Sequence, residues 1–523
     1  MKKITIILLF FLGVFITSCE YDLDINNSPN ATQECGPDLR LPYVLTETVD
    51  FYGSHGTRAS TLCQQVGYVY RPGYRYYMFQ NWQFANNADA WVWQCWYGYA
   101  WVNIEEMMKD AEDVDAWHYI GVGKILKAFG CGTLVDAYGY IAYQDGIAGN
   151  IQPDYDDAEY VYSQILPLCD EAIEDLKKAQ GDNAPDLSKG DIMFNGDISK
   201  WIKFAYGVKA RFMSHLSKKS EGTGLLDYNP GEILSLLDKS LQSNDDDAAY
   251  YGEESDISSR RCIQYGNLAS TYKPGKLWKS YLLNTVEGEG ESWNSGIEDP
   301  RAEYLIPKIV EGSNAGQYSF GLDLDSTNTS PAISDVNYVG LRSTDDNKLF
   351  YTQQASPYFL LSYSEVKFIE AEVYFRKGDK ANALTAYYEA IQANMDKIGV
   401  SSTASTTFLA SEAVAQTTSE LTLSHIMIQK YLALTYSPEV WTDMRRCDYC
   451  IGANGTYDAE AGIYKGFDRP KYVYETAFPQ DDDYIRRYQM AYYERYYNAS
   501  KVTELGVFDN DYMTRPVWWD IQD

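Results

Sequence analysis

Ser364-Glu365-Val366-Lys367-Phe368-Ile369-Glu370-Ala371-Glu372-Val373-Tyr374-Phe375-Arg376-Lys377-Gly378-Asp379-Lys380-Ala381-Asn382-Ala383-Leu384-Thr385-Ala386-Tyr387-Tyr388-Glu389-Ala390 is a helix, a break and a second helix whose pattern runs on to Ile398. Gly378 suits the position just past a helix end, where a left-handed backbone is needed. Asp379 suits the N-cap of the next helix. Small or aromatic residues fall at Ala371, Tyr374, Ala383, Tyr387 and Ala390. Small side chains at such offsets let two antiparallel helices approach closely.

These offsets match the tetratricopeptide pattern, although Lys367 and Glu370 stand where that pattern has Trp and Leu. One unit of this kind predicts stacked helix pairs. Other segments agree. From Ala158 to Ala179, Val161, Ile165, Leu168, Ala172 and Leu176 recur at helical spacing, with Asp156 or Asp157 as N-cap. Ile202, Ala205, Val208, Phe212 and Leu216 form a second stripe, with Ser199 as its expected cap and Lys218 and Lys219 expected to complement the helix dipole. Trp93, Tyr97, Ala100, Ile104, Met107 and Met108 form a third, read as core. Asp443 and Arg446 are expected to form an ion pair at a helix end. The fold class is therefore mainly α, with tetratricopeptide-like helix pairs supporting long irregular ligand-binding loops.

The N-terminus sets the compartment. Lys2 and Lys3 precede the apolar run Ile4 to Ile16, which is too short for the roughly 20 residues of a spanning helix. It ends in Ile16-Thr17-Ser18-Cys19, which resembles a bacterial lipobox and makes Cys19 the expected lipidation site, anchoring the chain in a membrane. Residues 1–18 are then a signal peptide, 19–36 a polar tether and 37–523 the folded domain. Helical scaffold is expected over about 37–250 and 357–449, and irregular loops over about 251–356 and 450–523.

The formal charge of −30 repels a phosphate backbone and argues against nucleic acid. The runs Asp245 to Asp247 and Asp481 to Asp483 lack EF-hand spacing and read as solvated loops. Cys447-Asp448-Tyr449-Cys450 has no second pair and no histidine set at zinc spacing, so buried thiols or a structural bridge are expected. No cofactor and no metal site is expected. No metalloprotease, serine-hydrolase or P-loop motif is present, so binding is expected in place of catalysis.

The chain holds 47 Tyr and 12 Trp, rings with an apolar face and a polar tip that suit amphipathic ligands. Arg71-Pro72-Gly73-Tyr74-Arg75-Tyr76-Tyr77 reads as loop. Its rings either meet a ligand or pack on the body, and the sequence leaves both open. The candidate ligand-binding residues are Tyr74, Arg75, Tyr76, Tyr77, Asn81 and Trp82, with Tyr265, Tyr272, Trp278 and Trp293 from the irregular middle. Two other functions stay open at this point: a surface glycan or peptide hydrolase, and a helical-repeat scaffold or adhesin.

Several motifs taken in order resemble the SusD/RagB-like nutrient-binding outer-membrane lipoproteins of Bacteroidetes. They are Leu134-Val135-Asp136-Ala137-Tyr138-Gly139-Tyr140-Ile141-Ala142-Tyr143, Asn195-Gly196-Asp197-Ile198-Ser199-Lys200-Trp201-Ile202-Lys203-Phe204-Ala205, Tyr363 to Asp379, and Trp441-Thr442-Asp443-Met444-Arg445-Arg446. Tyr138 and Tyr140 depart from the Trp and Asp of that family's pattern. The resemblance implies capture of an oligosaccharide or peptide at the outer face of the outer membrane. It also implies delivery of that ligand to a SusC-like TonB-dependent barrel. Family ligand residues lie in variable loops, so none is carried over.

Overall fold

The computed structural model describes residues 35–69, 79–82, 90–268, 271–285, 295–323, 335–452, 455–471, 473 and 475–523. Among these, helices build the body and strands form only three two-stranded antiparallel sheets.

The chain enters through α1 (Pro37–Leu62), with proline in its first turn, and β1 (Val66–Tyr68). A long helix follows in three parts: α2 (Ala90–Gln94), a π-helical stretch (Cys95–Trp101) and α3 (Val102–Glu112). A π turn holds an extra residue, and such turns are found disproportionately at functional sites. Trp96 is fully buried against Phe51, at 5.1 Å between ring centroids. Gly130 makes room for it, since a Cβ there would lie 1.9 Å from the Trp96 ring. Gly130 belongs to α4 (Trp117–Tyr138), which ends at Gly139 in the left-handed region, φ 79°. Two-residue strands β2 (Tyr140–Ile141) and β3 (Asp156–Asp157) then pair.

α5 (Ala158–Leu176) packs along α4, burying Val161, Ile165, Ala172 and Leu176 of the expected stripe. Asp157 is its cap, accepting from the Tyr160 amide at 2.9 Å, while Asp156 accepts from the amides of Tyr143 and Gln144. In α6 (Ile198–His215) the expected cap is corrected. Asp197, not Ser199, accepts from the Ser199 and Lys200 amides, and the Ser199 hydroxyl donates to it at 2.7 Å. Lys218 and Lys219 lie beyond this helix and bind the C-terminal segment through Asp520 and Asp523.

After α7 (Pro230–Leu237) and β4 (Ala248–Tyr251), the chain passes through β5 (Tyr272–Pro274), which pairs with β1, and α8 (Lys276–Leu283). β6 (Pro357–Leu361) pairs with β4 and leads into the helix pair α9 (Tyr363–Arg376) and α10 (Lys380–Ile398). Gly378 is left-handed, φ 80°, and Asp379 caps α10 by accepting from the Asn382 amide. Lys367, the departure from the repeat pattern, bridges the pair. Its ammonium sits 2.6 Å from Glu370 in α9 and 2.7 Å from Glu389 in α10. A charged link replaces the large apolar contact at that position.

The scaffold closes with α11 (Leu423–Ala433) and α12 (Glu439–Arg446). The expected pair Asp443–Arg446 forms at 2.7 Å and is buried, within a network reaching Glu372 of α9. The other family-like motifs are also structural. Asp136 accepts from the Tyr162 hydroxyl and the Trp519 indole at 2.7 Å each, and the Trp201 indole donates to Asp191 at 2.8 Å. All eight described cysteines are free, and Cys447 and Cys450 are buried thiols. Asp246 pairs with Lys203, and Asp247 accepts from the Tyr363 amide, so two members of that acidic run serve the fold. Among the described residues no acidic, histidine and cysteine cluster could hold a metal, and no helix is long and apolar enough to cross a membrane.

Candidate functional site

The short helix α13 (Tyr492–Tyr497) lies beside α2 and its π-helical continuation, and a cleft of about 390 Å³ opens between them. Its volume lies within the roughly 300–1,000 Å³ typical of small-molecule sites. One wall carries Trp93 and Tyr97, four residues apart, with Gly98. The second wall is the loop from Ala142 to Pro153, and the third carries Tyr493, Glu494, Tyr497 and Asn498. Gly146 allows the loop to approach, because a Cβ there would sit 2.5 Å from the Tyr97 ring.

The aromatic walls are braced from behind. Trp93 lies 4.8 Å from Tyr97 and meets Tyr138 edge-on at 5.0 Å. The Tyr97 hydroxyl donates to the Ala142 carbonyl at 3.2 Å. On the rim Tyr493 and Tyr497 are 44% and 67% exposed, and Ile151 is 91% exposed. Single exposed rings are ordinary on a protein surface; these stand at the mouth of a concavity, where a bound molecule can reach them.

Glu494 supplies the charge. Its two carboxylate oxygens accept from the Trp93 indole at 3.1 Å and from the Tyr155 hydroxyl. Burial raises its pKa, and those two hydrogen bonds oppose the rise. The Asn498 amide donates to the Pro153 carbonyl at 2.8 Å and to Tyr155, holding α13 against the loop. Each carboxylate oxygen keeps acceptor capacity beyond its one bond. No lysine or arginine is among the described lining residues. The cleft therefore offers ring faces and acceptors, which suits an uncharged ligand rich in hydroxyl donors.

None of the residues chosen from sequence lines this cleft. Tyr74, Arg75, Tyr76, Tyr77 and Trp293 lie outside the described residues, as does Cys19. Four others are corrected to core positions. Trp82 is fully buried, with its ring 5.3 Å from Phe478 and 5.8 Å from Tyr484. Asn81 is buried beside it. Tyr272 sits in β5 with its ring edge-on to Tyr68 at 4.9 Å. Trp278 is buried and donates to the Thr435 hydroxyl at 3.2 Å. Tyr265 alone of the described candidates keeps surface, flanked by Arg261 at 5.7 Å and Arg342 at 5.0 Å.

The residues missed by sequence reasoning carried a readable signal. Tyr492-Tyr493 and Tyr496-Tyr497 repeat at i, i+4, too many rings for one buried face of a six-residue helix. Tyr97 belongs to a stripe read as core, and the structure leaves it half-buried at the edge of that stripe.

A family model described as SusD-like, starch-binding associating with outer membrane, matches residues 29–463. No curated protein matches. Among solved structures the chain is similar to a SusD/RagB family protein from Bacteroides thetaiotaomicron, at 21% identity over 94% of this chain and 100% of that one, TM-score 0.68. It is similar to a SusD homologue from Bacteroides fragilis at 20% identity, covering 94% and 100%, TM-score 0.68. A chitin-binding SusD homologue from Flavobacterium johnsoniae matches at 17% identity, covering 93% and 95%, TM-score 0.66. At these identities the structural likeness concerns the fold, and it agrees with the helix pairs and loops described above. With the family model matching over most of its length, the chain belongs to the SusD-like family.

Proposed function

We propose that this protein is a cell-surface lipoprotein, anchored through Cys19, that holds an oligosaccharide and passes it to a SusC-like TonB-dependent barrel in the outer membrane. The observation that carries the reading is the braced aromatic cleft between the π-helical stretch and α13, with one carboxylate and no cation among its described lining residues. Pyranose rings present an apolar face and a hydroxyl edge, and the cleft presents the complement of each. The chitin-binding relative supports a glycan over a peptide. Glycoside hydrolysis usually needs two carboxyl groups about 5–10 Å apart across the bond. Glu494 is the only carboxylate among the described lining residues, which favours binding over hydrolysis.

Calorimetric titration with chito- and malto-oligosaccharides tests the ligand. Tyr493→Ala and Tyr497→Ala, both at exposed rings, are each expected to weaken binding by about 2- to 12-fold, the equivalent of about 0.5–1.5 kcal/mol per stacked ring. Unchanged affinity in the double variant would move the site elsewhere, with Tyr74, Tyr76, Tyr77 and Tyr265 the next to replace. Palmitate labelling is expected to disappear in Cys19→Ala, and a barrel protein is expected to co-purify from outer membranes. Labelling that persists without Cys19 would remove the anchor.

A further inference from the structure

A second hollow lies far from the aromatic cleft in sequence and differs from it in chemistry. It opens between the C-terminal end of α8, α10 and the first turn of α11, with a volume of about 160 Å³. That is too small for an oligosaccharide and suits one compact polar molecule.

Its floor is a fixed donor. Gln429 is 6% exposed, and its amide oxygen accepts from Arg301, itself held by Asp299 at 2.6 Å and Asn394 at 2.8 Å. With the oxygen so engaged, the Gln429 amide nitrogen faces the hollow and has no partner among the described residues. The residue is buried, but this nitrogen reaches the open space of the hollow, where an acceptor on a ligand can take the place of water.

One wall is positive. The Thr422 backbone amide donates to Nδ1 of His425 at 3.3 Å, so Nδ1 accepts and Nε2 carries the hydrogen. Burial, with help from Lys465, lowers the His425 pKa and keeps the ring neutral. Lys465 is placed here by two bonds: Ser424 donates to the Ile463 carbonyl at 2.5 Å, and Tyr281 donates to the Lys465 carbonyl at 2.7 Å. Lys465 is half-buried, and its ammonium makes no ion pair among the described residues. The first turn of α11, an eleven-residue helix, adds the positive end of its dipole.

The remaining charge at the hollow is Glu412, exposed, on a loop tied to α10 by the Tyr388 hydroxyl at the Ala415 carbonyl. It too is unpaired among the described residues and does not meet Lys465. A hollow that keeps opposite charges apart, each without a partner, matches a ligand bearing both.

We propose that this hollow binds a free α-amino acid. The carboxylate faces Lys465, the His425 Nε2–H and the Gln429 amide, and the ammonium faces Glu412. The site is independent of the glycan reading, since no residue is shared between the two hollows.

The test is a thermal-shift screen of the full-length lipoprotein in detergent against the twenty L-amino acids at millimolar concentration, with titration calorimetry on those that bind. At least one is expected to bind. Lys465→Met and Glu412→Gln are each expected to weaken it by about tenfold or more, as are N-acetylation and amidation of the ligand. Tyr493→Ala/Tyr497→Ala is expected to leave it unchanged. Binding by none of the twenty overturns the proposal, as does binding that both charge variants leave intact. Equal binding of the N-acetylated ligand overturns the role of Glu412 and reduces the site to a carboxylate pocket.

Discussion

Glu372→Ala is expected to lower the unfolding free energy by about 3–5 kcal/mol, the cost of removing one partner from a buried ion pair. Glu372, on α9, is 2% exposed and receives two N–H donors from Arg446 and one from Arg376 at 2.8 Å. Arg446 also holds Asp443 at 2.7 Å, and Asp443 holds Lys430 at 2.9 Å. Those nearby cations draw the Glu372 carboxyl well below its ordinary range, against the opposing effect of burial. Without Glu372, the buried cations Arg446 and Lys430 keep a single described carboxylate, Asp443, between them. The network joins α9 to α11 and α12, so the loss falls on the contact that fixes the helix pair to the rest of the scaffold. Urea unfolding followed by circular dichroism measures it. Glu372→Met combined with Arg446→Met is expected to cost less than the two singles summed, because Arg446 is removed with its partner, Lys430 keeps Asp443, and only the partly exposed Arg376 loses its carboxylate. A loss below about 1 kcal/mol for Glu372→Ala would show that water reaches the network and screens it.

The second large effect is on stability against pH, and two buried histidines act on opposite sides of pH 6.5. His55, in α1, is 2% exposed, and neither ring nitrogen has a hydrogen-bond partner among the described residues. Burial, with Arg445 and Arg58 nearby, lowers its pKa to about 3. The unfolded chain therefore takes up a proton near pH 6.5 that the folded chain refuses. This contribution is intact above pH 6.5 and declines as pH falls towards 3. Between pH 6.5 and 4.5 it amounts to about 2–3 kcal/mol, at about 1.4 kcal/mol per pH unit.

His215 behaves in the opposite sense. Burial alone would lower it, yet Glu439 and Asp136, at 2.9 and 3.1 Å, outweigh that and raise it to about 9. Its contribution is complete below pH 6.5 and is lost as pH rises through 9, about 3 kcal/mol in all. Other groups titrate too, Asp247 among them, which burial raises to about 6. The informative measurement is therefore the difference between wild type and variant. His55→Leu is expected to gain on wild type progressively as pH drops from 6.5 to 4.5. His215→Gln is expected to lose most below pH 6.5 and to converge on wild type towards pH 9. Parallel curves for either variant would mean that the histidine has the same pKa folded and unfolded.

The helix pair at residues 364–398 was legible from local signals alone. Their breaks and caps are local: Gly378 must take a left-handed backbone, Asp379 must satisfy the next amides, and period 3.6 follows from the apolar pattern. The family motifs were legible for a related reason. Asp136, Trp201 and Arg446 make specific buried polar contacts that few other residue types could make. Only the tertiary structure decided which aromatics face solvent. A tyrosine or tryptophan in an aperiodic segment has no neighbour at fixed sequence spacing, so its burial depends on what the rest of the chain brings to it. Trp82 is covered by residues 478 and 484, Tyr272 by residue 68, and Trp278 by residue 435. The cleft is likewise built from residues near 95, 150 and 495, and the smaller hollow from residues near 283, 412, 425 and 465. Concavity is a property of distant surfaces meeting, whereas helix periodicity and capping are written into neighbouring residues.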